Sequence, residues 1–266
     1  MPVTIVTGGT FGLGCALTVE LARRGHRVVA FGLSQPQPSS TAQGFEAVRA
    51  ALREAGLVEG EHVDLLEADV SSDDDVARVV AHTLARHGRI DGLVNNAAIG
   101  PLGTVLDTDP ALFARIVDVN LGGTYRMCRA VLPTMIAQGG GAIVNVGSGA
   151  GHGKPNMAAY SASKGAIAAL SAAMAYDHFH QRVRVNVAIP GGGHIVSGMS
   201  VGRMGGDTGR FLAKPAPGTA AGRPMGGADF AGAVAFLLSD EAATISGTVL
   251  DVGCFANQGG PVPPKP

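Results

Sequence analysis

Residues 3–14, VTIVTGGTFGLG, set the expectation for the fold. Apolar and β-branched residues at 3–6 predict a strand, glycines cluster directly after it, and helical periodicity over 15–24 ends at Gly25. Glycines in such a turn let the backbone approach a pyrophosphate, and the helix N-terminus offers free N–H groups to the same anion. The order strand, glycine turn, helix therefore predicts a phosphate-binding start, although a glycine-rich turn without a ligand has the same pattern.

The rest of the chain repeats this alternation of strand and helix. Further strands are predicted at 27–31, 62–68, 90–94, 142–146, 183–189 and 248–252, and helices at 45–55, 76–87, 110–138, 158–179 and 227–238. Ser71 or Ser72 would cap the third helix, so the acidic residues 73–75 indicate a helix start rather than a metal site. We predict an α/β fold, a doubly wound parallel sheet with helices on both faces.

Two segments depart from this alternation. Residues 192–224 are rich in Gly, Pro, Ser and Thr and have little core-forming periodicity, which predicts a lid over a pocket. Residues 257–266 form a Gly/Pro-rich tail. We expect one domain over residues 1–256, followed by that tail.

Composition excludes several functional classes. A net charge of −1 and a pI near 6.7 give no reason to expect a nucleic-acid partner. No apolar run approaches the roughly 18 residues that a membrane helix needs, and residues 1–6 lack the features of a signal peptide. Cys15, Cys128 and Cys254 are isolated in sequence, which favours buried thiols over a disulfide or a zinc site. We expect a cytoplasmic protein without a metal.

Tyr160 and Lys164 carry the strongest chemical signal. Four positions apart on a predicted helix, they share one face. A free phenol has a pKa of about 10, and a nearby ammonium favours its ionised form. Tyr160 can then exchange a proton with an alcohol or carbonyl whose oxygen Ser148, at the end of a predicted strand, would hold. The spacing alone is weak, because an ordinary helix surface often contains it.

Asn120, Gly122 and Gly123 interrupt the helical pattern over 110–138. Glycine in a helix interior costs about 1 kcal/mol relative to alanine, so this local conflict predicts a kink with a role. Close packing against a neighbouring element explains it equally well.

The second predicted strand ends at Phe31, Gly32, Leu33 and Ser34, without a charged residue. In dinucleotide folds an acid at this position binds the ribose 2′-hydroxyl, and a base pairs with a 2′-phosphate. Without an acid there is no repulsion of the 2′-phosphate of NADP, and without a base there is no attraction to it. The cofactor choice therefore stays open, with a slight lean to NADP.

Six elements in order now resemble the short-chain dehydrogenase/reductase family over nearly the whole chain. They are Thr-Gly-x-x-x-Gly-x-Gly at 7–14, Asn-Asn-Ala-Ala at 95–98, Asn120, Ser148, Tyr-x-x-x-Lys at 160–164 and Pro-Gly at 190–191. The resemblance implies a single Rossmann-type domain, hydride transfer with NAD or NADP, and a homotetramer or dimer.

The resemblance also implies residue roles. Tyr160 would be the catalytic acid–base, Ser148 would orient the substrate oxygen, and Lys164 would bind the nicotinamide ribose and lower the Tyr160 pKa. Asn120 would hold a water in the proton path. The cofactor-binding set would be Gly8, Phe11, Gly12, Leu13, Gly14, Gly32, Ser34, Asp69, Val70, Asn95, Ala97, Tyr160, Lys164, Pro190, Gly191 and Ser197. The substrate pocket would include Gly149, His152, Met157 and His194.

These observations predict an NAD(P)-dependent oxidoreductase that interconverts a small-molecule secondary alcohol and a ketone. A non-catalytic dinucleotide-sensing protein on the same fold is the alternative, because a fold does not determine function. A sugar-nucleotide epimerase or dehydratase can share Tyr-x-x-x-Lys, but such relatives need a longer substrate domain.

Overall fold

The computed structural model of the chain describes residues 1–34, 44–191, 193, 195, 196, 198–213 and 218–253. Its centre is a seven-stranded parallel sheet in the order β3-β2-β1-β4-β5-β6-β7. The strands are β1 Val3–Thr7, β2 Arg27–Gly32, β3 Val63–Glu67, β4 Gly92–Asn95, β5 Gly141–Val146, β6 Val183–Pro190 and β7 Val249–Val252. The predicted doubly wound α/β fold is confirmed.

Helices cover both faces of this sheet. They are α1 Gly12–Arg23, α2 Phe45–Glu54, α3 Asp73–His87, α4 Pro110–Val117, α5 Gly123–Ala137, α6 Ala158–Asp177, α7 Gly198–Gly202, α8 Thr208–Leu212 and α9 Gly227–Leu238. Successive strand residues point to opposite faces, so Ile5 packs in the core formed with α3, α5 and α6, and Val6 packs in the core formed with α1, α2 and α9.

A π-helical turn, Asp118–Gly122, separates α4 from α5 at the place where the sequence predicted an interruption. Asn120 lies inside this turn and is fully buried. A Cβ on Gly123 would lie 2.7 Å from Val70 Cγ2, so this glycine permits α5 to approach the segment after β3. Both sequence interpretations therefore apply, an irregular turn at Asn120 and close packing at Gly123.

The acidic residues after β3 begin a helix, as predicted. Ser72 is the N-cap of α3, and its Oγ accepts a hydrogen bond from the Asp75 N–H at 3.2 Å. In the described ranges, no three His, Cys, Asp or Glu side chains are grouped so as to hold a metal ion. None of the helices in those ranges combines the length and apolar composition that crossing a membrane requires.

The predicted lid is more regular than the sequence indicated. Within 192–224 the chain forms two short helices, α7 and α8, where the pattern had suggested little periodicity. Short helices without a continuous apolar stripe leave no 3.6-residue signal. Gly192, His194, Ser197, Cys254 and the tail 257–266 lie outside the described residues.

Candidate active site

The glycine turn after β1 forms a cradle for a phosphate. Gly8 has a φ of +60°, and a Cβ on Gly14 would lie 1.9 Å from the Gly8 carbonyl oxygen, so only glycine fits there. Phe11 is the N-cap of α1, whose first turn points its N–H groups at this cradle. The buried Thr10 hydroxyl has no hydrogen-bond partner in the described part of the chain. The turn therefore fits the pyrophosphate of a dinucleotide.

Asn96, which sequence analysis did not select, fixes the shape of this turn. Its amide donates hydrogen bonds to the carbonyl oxygens of Thr7 and Gly8, both at 3.1 Å. The neighbouring Asn95 faces the other way and donates to Asn145 Oδ1 at 2.8 Å. The Asn-Asn pair was visible in the sequence, but only the observed strand register shows which amide faces the turn.

The predicted cofactor residues gather along one edge, because the carboxyl ends of parallel strands lie together. Gly32 ends β2 and Ser34 follows it, Asp69 and Val70 follow β3, Ala97 follows β4, and Pro190 ends β6 with Gly191 directly after it. Ala97 touches the turn directly, since a Cβ on Gly8 would lie 2.9 Å from Ala97 Cα. Asn95 also ends β4, although its side chain points into the sheet.

Asp69 is already engaged within the protein. Its Oδ1 accepts hydrogen bonds from the N–H and the hydroxyl of Ser71, and its Oδ2 is paired with Arg115 at 3.3 Å. Burial raises the Asp69 pKa, but these partners outweigh it and leave the pKa below its usual value. The Asp69 carboxylate is therefore ionised and hydrogen-bonded within the protein. A contact with an adenine would use the part of Asp69 that these partners do not cover.

Tyr160 and Lys164 lie on one buried face of α6, with 8% and 5% of their surfaces exposed. Lys164 Nζ donates a hydrogen bond to the Val146 carbonyl oxygen at 2.7 Å and lies 6.0 Å from the centre of the Tyr160 ring. Burial lowers the pKa of Lys164 to about 8. The helical spacing thus places a buried ammonium beside the phenol, at the end of β5.

Ser148 lies at the same strand end, close to the Tyr160 hydroxyl. It is the N-cap of a short 3₁₀ turn, Gly149–His152, and its Oγ accepts a hydrogen bond from the Ala150 N–H at 3.2 Å. Burial raises the pKa of Tyr160, and a hydrogen bond with Ser148 and the charge of Arg203 oppose that rise. Ser148 and Arg203 are therefore the groups that oppose the rise, and the role predicted for Lys164 from the sequence stays a proposal.

Asn120 connects the π-helical turn to α6. Its Nδ2 donates to the Ile99 carbonyl oxygen and to Ser163 Oγ, both at 2.9 Å, and its Oδ1 accepts from the Ile99 N–H at 2.8 Å. Ser163 in turn donates to the Tyr160 carbonyl oxygen at 2.8 Å. The amide therefore holds the helical turn that carries Tyr160 and Lys164, and it has no donor left for a water.

Arg203, just after α7, closes over Tyr160 and was missed at the sequence level. Its guanidinium carbon lies 5.6 Å from the Tyr160 ring centre, and its Nε and Nη2 donate to the Gly100 carbonyl oxygen at 3.2 and 2.9 Å. No carboxylate in the described segments is paired with it. A Cβ on Gly100 would lie 2.8 Å from Tyr160 Cδ2, so glycine permits this packing. No local sequence pattern indicated it.

The predicted pocket wall is present in part. Met157 packs with Ala150 and Tyr160, and Met199 of α7 covers the same cluster. Gly149 and His152 lie on the 3₁₀ turn next to Ser148, and His152 is exposed. Helix α7 thus packs against the cluster that contains the tyrosine.

Comparisons with known proteins agree with this geometry. A family model described as short chain dehydrogenase matches residues 2–201. The 2-(S)-hydroxypropyl-CoM dehydrogenase 3 of Xanthobacter autotrophicus is 38% identical over 257 residues, which cover 94% of each chain. The 3-ketoacyl-(acyl-carrier-protein) reductase of Brucella melitensis, solved with NADH, is 29% identical with a TM-score of 0.77, and 94% of this chain and 96% of that chain are covered. A variant of actinorhodin polyketide ketoreductase, solved with NADPH, is 28% identical with a TM-score of 0.80, and the covered shares are 96% and 97%.

Proposed function

The chain belongs to the short-chain dehydrogenase/reductase family of oxidoreductases, and we propose that it interconverts a secondary alcohol and a ketone with Tyr160 as the acid–base group. The observation that carries this proposal is the convergence of Ser148 and Tyr160 above the buried Lys164, at the edge where the glycine turn also lies. A nicotinamide dinucleotide bound along that edge would supply or accept the hydride.

In the reductive direction, two side chains stabilise the negative charge that develops on the substrate oxygen. Tyr160 donates its phenolic proton to that oxygen, and the Ser148 hydroxyl donates a second hydrogen bond. Lys164, with a pKa of about 8, is largely protonated at neutral pH and stabilises the phenolate that results. In the oxidative direction the phenolate takes the proton from the alcohol.

In this mechanism Asn120 would have two roles, to position α6 and to bind a water in the proton path. Its side-chain amide positions α6, because both Nδ2 donors are used by the Ile99 carbonyl oxygen and Ser163 Oγ, and Oδ1 accepts from the Ile99 N–H. A water in the proton path would then donate to an oxygen of Asn120, either Oδ1 or the main-chain carbonyl that also accepts from the Thr124 hydroxyl.

The turnover experiment has a matched control on the same helix. Purified protein is incubated with NADH or NADPH and a panel of ketones, and the loss of reduced cofactor is followed. Tyr160→Phe should lower kcat by roughly 10²–10⁴, the usual contribution of a positioned acid–base group. Tyr176→Phe, at the exposed end of α6, should leave kcat unchanged.

Two outcomes would contradict the proposal. Full activity of Tyr160→Phe on any reduced ketone would remove the assigned acid–base role. Cofactor binding without turnover across the panel would favour a dinucleotide-sensing protein, and transient reduction of the cofactor without net consumption would favour an epimerase or dehydratase.

A second copy of the chain is the occupant that we propose for an apolar groove beside the π-helical turn. The groove is lined by Phe113, Ala114, Val117, Asp118, Leu121, Gly122, Tyr125, Ala166 and Leu170. Phe113 and Tyr125 are 46% and 53% exposed there, and the small Ala166 lets another helix come close. Phe113→Asp should reduce the mass measured by light scattering, and Phe179→Asp, exposed outside the groove, should not. An unchanged mass for Phe113→Asp would refute this interface.

The remaining sequence-level expectations stay proposals. These are a dimer or tetramer as the size of the assembly, one domain over residues 1–256 with a lid at 192–224, a cytoplasmic location, and the absence of nucleic-acid and membrane partners. The substrate is proposed to be a small-molecule alcohol or ketone bound between the 3₁₀ turn and α7.

A further inference from the structure

A carboxylate from β3 stands at the end of β2. Glu67 is paired in register with Gly32, and the Ala68 N–H donates to the Gly32 carbonyl oxygen at 3.0 Å. The Ser34 N–H donates to Glu67 Oε1 at 3.4 Å, and the Ser34 hydroxyl donates to the same oxygen. The side chain of Glu67 therefore reaches across to the loop position after β2, where dinucleotide folds read the adenosine ribose.

This position adjoins the phosphate cradle. A Cβ on Gly32 would lie 2.5 Å from the Thr10 hydroxyl and 3.8 Å from Gly8 Cα, so the end of β2 packs directly on the glycine turn. A dinucleotide whose pyrophosphate occupies the turn would thus bring its adenosine ribose to Ser34. The carboxylate of Glu67 would lie beside the ribose 2′ position.

The charges nearby favour a hydroxyl over a phosphate at that position. Residues 28–48 contain no lysine or arginine. The cations that flank the site already have partners: Arg49 is paired with Glu46 and Glu59, and Arg78 is paired with Asp75 and the Glu67 carbonyl oxygen. Among the described residues around this site, a 2′-phosphate with a charge of about −1.5 to −2 at neutral pH would meet the Glu67 carboxylate, while these two arginines are engaged with other carboxylates.

We propose that Glu67 reads the ribose 2′-hydroxyl and makes the chain select NAD(H) over NADP(H). The inference rests on the proposed function, since it assumes a dinucleotide along the sheet edge, and it reverses the slight lean to NADP. That lean came from the uncharged end of β2. The acid is supplied by the adjacent strand, which a search of β2 alone cannot find.

Binding measurements test this without any turnover. Isothermal titration calorimetry on the full chain gives Kd values for NADH and NADPH with no carbonyl substrate present. NADH should bind at least about tenfold more tightly, the size expected for two like charges a few ångströms apart near a protein surface. Glu67→Gln should narrow this ratio severalfold, mainly by tightening NADPH. Glu61→Gln, an exposed glutamate before β3, is the matched control and should leave the ratio unchanged.

Salt gives a second measurement that needs no variant. The proposed repulsion acts between exposed charges, so salt should screen it. Raising the ionic strength from about 0.05 to about 0.5 M, which shortens the Debye length severalfold, should bring the Kd values of the wild type for NADH and NADPH closer together. Equal or tighter binding of NADPH by the wild type, or a ratio unaffected by Glu67→Gln and by salt, would overturn the inference. Selective NADH binding without turnover would support it while the oxidoreductase proposal failed, and binding of neither dinucleotide would refute both.

Discussion

The carboxyl edge of the sheet has a buried half, at the ends of β4 and β5, and an exposed half, at the ends of β2 and β3. At the ends of β4 and β5, the polar groups Asn120, Tyr160 and Lys164 are almost fully removed from water. At the ends of β2 and β3, Ser34 and Glu67 are exposed. A buried polar group needs a definite partner and its pKa shifts, whereas an exposed one is solvated and its charge is screened. Few residue types can therefore occupy the polar positions of the buried half. In the exposed half, residues from different strands can make the same contact with a cofactor.

The largest effect of this difference is expected at Lys164. Its pKa of about 8 lies below the value of 10.5 that the same group has when it is exposed. Between these pH values the unfolded chain binds more protons than the folded chain, so the stability of the wild type rises with pH. Below pH 8 the buried ammonium costs about 3 kcal/mol, the energy equivalent of that pKa difference.

Lys164→Met should therefore change the pH dependence of stability. The difference in the free energy of unfolding between variant and wild type should shift by about 3 kcal/mol, in favour of the wild type, from pH 7 to 10.5. Denaturant unfolding across that range measures it, and turnover should be lost in the variant. Lys154→Met removes an exposed lysine and should give a pH-independent difference. A pH-independent difference for Lys164→Met as well would contradict the cost assigned to its burial.

The buried half is also the half that sequence reasoning predicted well. The spacing of Tyr160 and Lys164 predicted a shared helix face, and the break around Asn120 predicted an irregular turn; both are observed. The parallel α/β sheet and the family membership are confirmed. Because few residue types are chemically acceptable at such buried positions, the Tyr160–Lys164 spacing and the break around Asn120 can be recognised in a single sequence. The catalytic roles themselves stay predictions.

What the sequence did not predict depends on contacts between distant segments. Glu67 and Ser34 meet through strand register, and Arg203 meets Gly100 through the packing of α7. Neither pair has a local spacing that a single sequence displays. The same limit explains why Asn95 was selected from the Asn-Asn pair when the amide of Asn96 holds the glycine turn.

A smaller effect, in the same buried half, is expected at Asn120. Asn120→Ala leaves the Ile99 N–H and the Ile99 carbonyl oxygen without this side-chain partner, and each unsatisfied buried group costs about 1–3 kcal/mol. Chemical denaturation should show a loss of this size, with a lower kcat because the turn carrying Tyr160 is less constrained. Gln181→Ala removes an exposed amide bonded to His178 and should stay within about 0.5 kcal/mol of the wild type. Equal stability of the two variants would contradict the role of Asn120 as the connection to α6.

The smallest effect tests the boundary between the two halves, because Arg203 is half-buried and stands over a buried ring. Its positive charge favours the phenolate of Tyr160, so Arg203→Gln should raise the Tyr160 pKa further above its usual value. The chain has three tyrosines and no tryptophan, so tyrosinate absorbance reports this titration directly once the Tyr160→Phe signal is subtracted. In the oxidative direction, where the phenolate is the active form, the pH at which activity rises should move upward by the same amount. Arg210→Gln, exposed on α8, should leave the titration unchanged. An unchanged or lower Tyr160 pKa in Arg203→Gln would mean that water screens the guanidinium there as it screens the exposed half.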